Sequence, residues 1–316
     1  MTLVETLESL LNCSTPTNPG NHIWADDIVE MLASIRKSYL QNWMGGNFQD
    51  PLPLGLTRVS QLGKPKFVQA ARLPHIQEAL AEAGLMSHSN TSGEGGWDYT
   101  KDAVMQRRFH FGNVIEAQVI VLLRAHGLTI TDTQTEVVMS EEHDVLGHTD
   151  GVLHHGGKRY VFDVKTMSDY SFTKYTSKKG PHDDNGYITQ LACYHHLLGT
   201  DGAFLLCYNK NTHKFRVLFL DNDRMGSRWE RAKETVELLA TVHTLDDLDA
   251  IAVPPPVDEL YKGKPTGKYV AHPSIKWEPE RHLIYRTYTE KKWGKPKEYV
   301  LDCYGTIHES GGIHAD

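Results

Sequence analysis

The stretch GHTDGVLHHGGKRYVFDVKT, residues 147–166, decides the fold that we predict for this chain. Two apolar runs flank the turn residues His155-Gly156-Gly157, and this pattern is typical of a β-hairpin. Asp163 and Lys165 are two positions apart on the second strand, so their side chains leave the same face of the sheet. A hairpin of this length brings Asp150 beside that face.

The charges of Asp150, Asp163 and Lys165 would be costly to bury without a ligand. Phe162 and Val164 point to the opposite face and predict that the strand is packed on an apolar core, where a pair of like charges is destabilised. A divalent cation removes this cost, and carboxylate oxygens favour magnesium or manganese. The alternative interpretation is a structural Asp–Lys pair at the surface.

Periodicity on both sides of the hairpin predicts an α/β core in the order helix, three strands, helix, strand. The predicted helices cover residues 24–44, 73–85, 102–125, 185–198 and 224–242. The predicted strands cover residues 128–139, 145–153, 159–166, 203–208 and 215–220. We expect a loop over residues 169–180, and irregular structure or short strands after residue 254. The expected division is an N-terminal helical flank or lid (1–101), a central α/β core (102–252) and a basic, aromatic tail (253–316).

The chain resembles a known nuclease superfamily in four short motifs. Asp150, followed across a hairpin by residues 163–165 (DVK), resembles the signature of the PD-(D/E)XK nucleases. Their restriction-endonuclease-like core has a similar order of elements, so the resemblance implies an α/β fold with a mixed central sheet flanked by helices. FGNVIE, residues 111–116, resembles the upstream helical motif of the RecB-like exonucleases. QLACY, residues 190–194, resembles their QxxxY motif. The RecB-like branch includes phage recombination exonucleases and CRISPR-associated nucleases, and the resemblance covers residues 102–220.

This resemblance implies metal-dependent hydrolysis of phosphodiester bonds at DNA ends. It implies that Lys165 orients the attacking water and offsets negative charge in the transition state, with Gln190 in the same catalytic set. Gly112 and Glu116 stand one helical turn apart, so the missing side chain leaves room for a phosphate or a DNA strand. The implied ligands of one or two magnesium or manganese ions are Glu116, Asp150, Asp163 and the carbonyl of Val164.

Several further residues are predicted to contact DNA. Helical spacing places Tyr187, Gln190 and Tyr194 on one side of a helix. The loop after the second strand of the hairpin supplies Lys174, Lys178 and Lys179. The tail mixes basic and aromatic residues, which suits single-stranded nucleic acid and suits aromatic packing equally well. If the strand is continuous, the His148 side chain shares the face of Asp150. There it either contacts the metal or a phosphate, or it is a hydrogen-bonded structural histidine.

The net charge limits how this chain can bind DNA, and the absence of known motifs excludes serine hydrolases, zinc proteases and phosphate-loop ATPases. The formal net charge is -7 and the pI is about 6.2, so DNA must be contacted by local basic patches. The chain has no GxSxG or HExxH motif, and GKPTGK at residues 263–268 lacks the spacing of a phosphate loop.

The four cysteines are scattered and predict free thiols rather than a zinc ribbon. Many CRISPR-associated relatives hold an iron–sulfur cluster through an upstream cysteine and three near the C-terminus. Residues 57–67 resemble the upstream region but contain no cysteine, and the tail offers only Cys303. We therefore predict no iron–sulfur cluster.

The sequence contains no run long enough to cross a membrane, and we expect an intracellular protein, in the cytoplasm of a bacterial host if it is phage-encoded. The expected partner is linear double-stranded DNA or single-stranded ends. The resemblance is also compatible with a homo-oligomer or a recombination partner protein. Two alternatives stay open, an endonuclease or structure-specific nuclease on the same fold and a catalytically idle DNA-binding or assembly protein.

Overall fold

The computed structural model describes residues 2–12, 33, 57–85, 103–143, 145–177, 183, 185–276, 278–292 and 295–303. Apart from Ala33, the predicted helix over residues 24–44 lies outside the described residues. The chain forms two compact units. The first contains Met1–Ser60, Asp98–Asp183 and Tyr187–Ala232, and the second contains Gln61–Trp97, Asp184–Gly186 and Lys233–Asp316. The division into three consecutive domains stays a prediction.

The described elements are helices, strands and two short 3-10 segments. The helices are α1 (Leu3–Leu11), α2 (Lys66–Ala70), α3 (Pro74–Glu82), α4 (Ala103–Ala125), α5 (Asp169–Tyr175), α6 (Tyr187–Leu198), α7 (Asn222–Met225), α8 (Arg228–Ala240) and α9 (Leu245–Asp249). The strands are β1 (Thr129–Thr131), β2 (Glu136–Ser140), β3 (Val145–His148), β4 (Gly151–His155), β5 (Lys158–Met167), β6 (Gly202–Asn209), β7 (Phe215–Leu220), β8 (Val257–Tyr261), β9 (Lys264–Val270), β10 (Tyr285–Lys292) and β11 (Lys295–Cys303). The 3-10 segments are Val59–Gln61 and Pro279–Leu283.

A five-stranded sheet in the order β1-β4-β5-β6-β7 forms the centre of the first unit. Only β5 and β6 pair in parallel, while the other neighbours are antiparallel, so the sheet is mixed. The connection between β5 and β6 contains α5 and α6, because a parallel pair needs a crossover. The predicted fold class, a mixed sheet flanked by helices, is confirmed.

One face of this sheet forms an apolar core with helices α1 and α4. Phe162 and Val164 on β5 lie on that face, as the alternation of the sequence predicts. Helix α4 contributes Ile115, Val119 and Leu123 to the same cluster. Removal of these apolar side chains from water is the main stabilising term for this arrangement. It also fixes the position of α4, which carries Glu116, beside the sheet.

Helix α6 packs on β5 and β6, where it meets the side chains that alternate with the core residues. Strand β6 is buried along its whole length, as expected of a central strand with a parallel neighbour. Helix α6 buries seven consecutive residues, Ile188 to Tyr194. The Asp163 side of β5 is therefore covered by protein.

The structure differs from the predicted elements at several places. The two strands predicted over residues 128–139 and 145–153 are each split, because β1 and β4 join the central sheet while β2 and β3 form a separate pair. Thr149 stabilises the break, since its hydroxyl donates to the carbonyl of Asp132 at 2.7 Å. The predicted loop over residues 169–180 begins with helix α5, capped by the Ser168 side chain. The helix predicted over residues 224–242 is broken at Gly226, whose φ is +53°.

The second unit contains a four-stranded antiparallel sheet in the order β10-β11-β9-β8. Sequence analysis left two alternatives for the residues after 254, irregular structure or short strands. The structure has strands there, and they pair in this sheet. Arg72 donates to both Glu278 and Glu280, which are nearly buried, and Lys64 also pairs with Glu278. In the described part of the chain, no helix combines the length and apolar character needed to span a membrane.

Candidate active site

The register of the hairpin brings Asp150 opposite Asp163. Gly151 pairs with Phe162 as the first ladder position of β4 and β5, so the preceding residue faces Asp163 across the two strands. The backbone N–H of Val164 donates to Asp150 Oδ2 at 2.6 Å. This hydrogen bond fixes the Asp150 carboxylate directly before the first residue of β4, where the backbone pairing of β4 with β5 has ended.

Asp163 is fully buried and forms an ion pair with Lys165. The Lys165 Nζ donates to Asp163 Oδ1 at 2.8 Å, and the lysine side chain is 23% exposed. The second oxygen, Asp163 Oδ2, is buried without a hydrogen-bond partner in the described structure. An unsatisfied buried carboxylate oxygen is costly, so this atom is suited to a cationic ligand.

Glu116 reaches the same group of charges from helix α4. Its Oε1 accepts a hydrogen bond from the side chain of Gln134, in the turn between β1 and β2. The pKa of Glu116 is raised from 4.5 to about 7, because burial and the negative charge of Asp163 outweigh the opposing effects of Gln134 and Lys165. The three predicted carboxylates thus influence one another electrostatically.

The remaining charges of the site are shifted by burial and by each other. Burial raises the pKa of Asp150 well above its usual range, and the charges of Asp163 and Glu116 add to this shift. Burial also raises the pKa of Asp163, against the effect of Lys165. For Lys165, burial lowers the pKa, but the neighbouring carboxylates outweigh it and keep the ammonium charged. Without a ligand, burial and mutual repulsion therefore disfavour the charged form of each carboxyl, while Lys165 stays charged.

The carboxylates are not yet arranged as a complete set of metal ligands. In the described part of the chain, no three His, Cys, Asp or Glu side chains form a group that could hold a metal ion. One oxygen of each carboxylate accepts from a protein donor: Asp150 from the Val164 N–H, Asp163 from Lys165 and Glu116 from Gln134. The donor set nevertheless fits a hard divalent cation, because it is all oxygen and Asp163 Oδ2 lacks a partner.

By strand geometry, the carbonyl of Val164 faces the same edge of β5 as its N–H, which donates to Asp150. In a β-strand the N–H and C=O of one residue point to the same neighbour, and the Val164 N–H faces Asp150. This carbonyl therefore lies beyond the last ladder pair of β4 and β5, on the side of the carboxylates.

Helix α6 carries the three residues of the predicted polar-aromatic stripe. Tyr194 is 1% exposed and Gln190 is 5% exposed, and the Gln190 side chain donates to the Tyr194 hydroxyl at 3.1 Å. Tyr187 is half-buried, with its ring centroid 5.2 Å from Lys165 Nζ. Helical spacing is confirmed, but two of the residues lie inside the protein, and their contact with DNA stays a prediction.

The structure describes only some of the other residues that are predicted to contact DNA or a ligand. Lys174 lies in the last turn of α5, while Lys178 and Lys179 fall outside the described residues. His148 ends β3, where its Nε2 is 3.8 Å from Glu136 Oε2. It belongs to the separate β2–β3 pair, so the continuous strand that would place it beside Asp150 does not form.

The described part of the tail contains both buried and exposed aromatic side chains. Both interpretations of its composition, aromatic packing and contact with single-stranded nucleic acid, therefore stay predictions. Tyr285 and Tyr299 are buried, whereas Tyr261 is 68% exposed and Tyr269 is 49% exposed. Several of the basic residues pair with acids of the same unit. These pairs are Lys268 with Glu290, Lys297 with Glu259 and Arg281 with Glu298.

Two polar residues near the site were missed by sequence analysis. Gln134 is distant in sequence from Glu116, and no local motif indicates their contact. Asp183 accepts from the N–H of Ile188 at 2.7 Å and from that of Thr189 at 3.0 Å, and so caps the N-terminus of α6. An aspartate shortly before a predicted helix is the signal that could have identified this cap.

Comparisons with known proteins give only weak similarity. No protein-family model matches this chain, and no curated protein matches it in sequence. Among solved structures, SSO0001 has 13% identity and a TM-score of 0.37, over 69% of this chain and 88% of that one. The alkaline exonuclease LHK-Exo from Laribacter hongkongensis has 14% identity and a TM-score of 0.34, over 57% and 89%. LHK-Exo in complex with dAMP has 15% identity and a TM-score of 0.34, over 58% and 90%. At these TM-scores the matches carry no argument, so functional inference depends on the residues of the site.

Proposed function

We propose that this chain is a metal-dependent deoxyribonuclease. The observation that carries the proposal is that Glu116, Asp150, Asp163 and Lys165 are near enough to shift one another's pKa, with Asp163 Oδ2 buried and without a partner in the described structure. A structural surface pair does not account for this arrangement, because the group is buried and its carboxyls repel one another. An idle scaffold would gain stability by losing these charges.

Magnesium or manganese would be held by the three carboxylates and the carbonyl of Val164. When bound, the cation would supply Lewis-acid stabilisation of the negative charge on the scissile phosphate. Small side-chain rotations would be needed, since Lys165 and the Val164 N–H now occupy carboxylate oxygens. The position of Asp150 at the end of a strand and of Glu116 on a helix allows each to approach from a different element.

Lys165 would act on the attacking water and on the phosphate. Its Nζ has three protons, of which one is donated to Asp163, so others can be donated to a water molecule or to a phosphate oxygen. A charge placed in this way stabilises the transition state more than the ground state. Gln190 would act in the same site by holding Tyr194, and Tyr187 and Lys174 would lie near the DNA backbone.

We further propose that the substrate is a DNA end. The motifs at residues 111–116 and 190–194 support this step, because they resemble the RecB-like exonucleases. A role in phage recombination or in genome degradation would follow from the same resemblance. An endonuclease on the same fold differs in one respect, since it would cut DNA that has no ends.

The test is incubation of the protein with linear DNA and with covalently closed circles of the same sequence. Reactions contain magnesium, manganese or a chelator, and Asp150→Asn and Glu116→Gln serve as variants. Glu142→Gln is a matched control, because this residue lies exposed in the turn between β2 and β3. We expect loss of linear DNA with metal and survival of the circles.

The outcomes separate the alternatives. Rapid opening of closed circles would assign an endonuclease. Cleavage that persists in chelator, or in Asp150→Asn at the wild-type rate, would contradict the metal-dependent site. Binding of DNA without cleavage under every condition would indicate a DNA-binding protein that retains the fold.

A further inference from the structure

Two side chains hold the ammonium of Lys165. One is the carboxylate of Asp163, whose Oδ1 is 2.8 Å from Nζ. The other is the aromatic ring of Tyr187, whose centroid is 5.2 Å from the same atom, within the range of a cation–π contact. The ion pair with Asp163 alone would limit how far the Lys165 ammonium lies from that carboxylate. It would not fix the direction in which the flexible lysine side chain extends. The ring supplies the second point of contact.

The ring of Tyr187 is itself fixed by its surroundings. Tyr187 is the first residue of α6, whose N-terminus is capped by Asp183. Its ring packs against the ring of Tyr175 with centroids 5.3 Å apart and planes tilted by 33°. Tyr175 is only 2% exposed, so this support is rigid. Arg228 pairs with Asp183 at 3.3 Å and holds the cap in turn.

We infer that Tyr187 is a positioning residue, whose ring directs the Lys165 ammonium towards the attacking water and the scissile phosphate. The inference rests on the proposed function, in which Lys165 acts on these groups. An aromatic face suits this task better than another carboxylate would. It attracts the ammonium without adding charge to a group that already contains Glu116, Asp150 and Asp163, and without occupying a proton of Nζ through a strong hydrogen bond.

This role differs from the DNA contact that sequence spacing predicts for Tyr187. A residue that binds the DNA backbone through its hydroxyl would affect DNA affinity, and removal of that hydroxyl would weaken binding. A residue that positions Lys165 through its ring would affect the rate of cleavage and would tolerate phenylalanine. Tyr187→Leu and Tyr187→Phe therefore form a matched pair, because one removes the ring and the other removes only the hydroxyl.

Single-turnover cleavage of linear DNA with magnesium or manganese measures the rate, and anisotropy with calcium measures DNA affinity. We expect Tyr187→Leu to cleave about ten-fold more slowly, which corresponds to about 1.4 kcal/mol and lies within the range of a desolvated cation–π contact. Its dissociation constant should stay within about two-fold of wild type, a change of roughly 0.4 kcal/mol. Tyr187→Phe should be close to wild type in both. Circular dichroism and the unfolding midpoint verify that each variant is folded.

A second measurement does not depend on cleavage. Reductive methylation with carbon-13 formaldehyde adds methyl groups to lysines while keeping their charge, and Lys165→Arg identifies the Lys165 signal. A methyl group above an aromatic ring is shifted upfield. The signal should keep this shift in Tyr187→Phe and lose it in Tyr187→Leu.

Three results would overturn the inference while leaving the proposed nuclease intact. These are a wild-type rate in Tyr187→Leu, an equal loss of rate in both variants, and a loss of DNA affinity in proportion to the loss of rate. If the wild-type protein does not cleave DNA at all, the proposed function fails. The methyl signal then decides separately whether the ring holds Lys165.

Discussion

Replacement of Glu116 by glutamine should make the metal-free protein more stable at pH 8, even though it removes a residue that we propose as essential. Glu116 is half-buried on α4 and lies close enough to Asp163 for mutual repulsion. Glutamine has nearly the same shape, and its carbonyl oxygen can still accept the hydrogen bond from Gln134. The substitution therefore removes charge with little change in packing.

The magnitude follows from the pKa. Burial raises the pKa of Glu116 from 4.5 to about 7 in the folded chain. At roughly 1.4 kcal/mol per pKa unit, keeping this carboxylate ionised in the folded state costs at most about 3 to 4 kcal/mol. Because the folded protein binds the proton more tightly, the contribution of this carboxyl is fully present below about pH 4.5. It is lost as the pH rises towards about 7.

Urea unfolding at pH 5 and pH 8 in the presence of a chelator measures the effect. We expect Glu116→Gln to exceed wild type by about 1 to 3 kcal/mol at pH 8 and by much less at pH 5. Added manganese should then stabilise wild type, by about 2.7 kcal/mol at a hundred times its dissociation constant, and should have little effect on the variant. Glu142→Gln controls for a change of net charge alone.

The reasoning would be refuted by a variant that is no more stable than wild type at pH 8, since the burial cost of Glu116 would then be absent. Equal stabilisation of both proteins by manganese would instead remove Glu116 from the proposed ligands. The slope of the unfolding free energy against urea concentration must be the same in both proteins, because a change in this slope indicates a change in the unfolded or native state.

Four further predictions concern other parts of the first unit. Lys165→Ala should lower the cleavage rate by about a hundred- to ten-thousand-fold, while gel shifts in calcium show little loss of DNA binding and a salt slope reduced by at most about one; a parallel loss of binding would refute this role. Gly147→Ala should destabilise the protein by about 1 to 3 kcal/mol in urea unfolding, because the added Cβ would lie 2.6 Å from the Tyr194 hydroxyl. Gly112→Ala should raise helix stability by up to about 1 kcal/mol, since its Cβ meets nothing within 4 Å, yet should weaken DNA binding in anisotropy if that space admits a strand. Asp183→Ala should lower the unfolding free energy by about 0.5 to 2 kcal/mol through loss of the α6 cap, and an unchanged midpoint would contradict this.

The sequence determined the elements and faces that depend on local spacing. Alternation along residues 159–166 placed Asp163 and Lys165 on one face and Phe162 and Val164 on the other, because side chains of a strand alternate. Helical periodicity identified α4 and α6 to within a few residues at their N-terminal ends. The hairpin turn set the register that brings Asp150 opposite Asp163.

Only the tertiary structure decided which of these faces are buried and what they meet. The split between β3 and β4, which takes His148 away from Asp150, depends on Thr149 contacting a turn that lies 17 residues earlier in the chain. Gln134 reaches Glu116 across 18 residues. The burial of Tyr194 and the contact of Tyr187 with Lys165 arise because α6 packs on β5 and β6. Spacing within one element predicts which side chains share a face, but the partner of that face is chosen by long-range packing, which a local pattern does not encode.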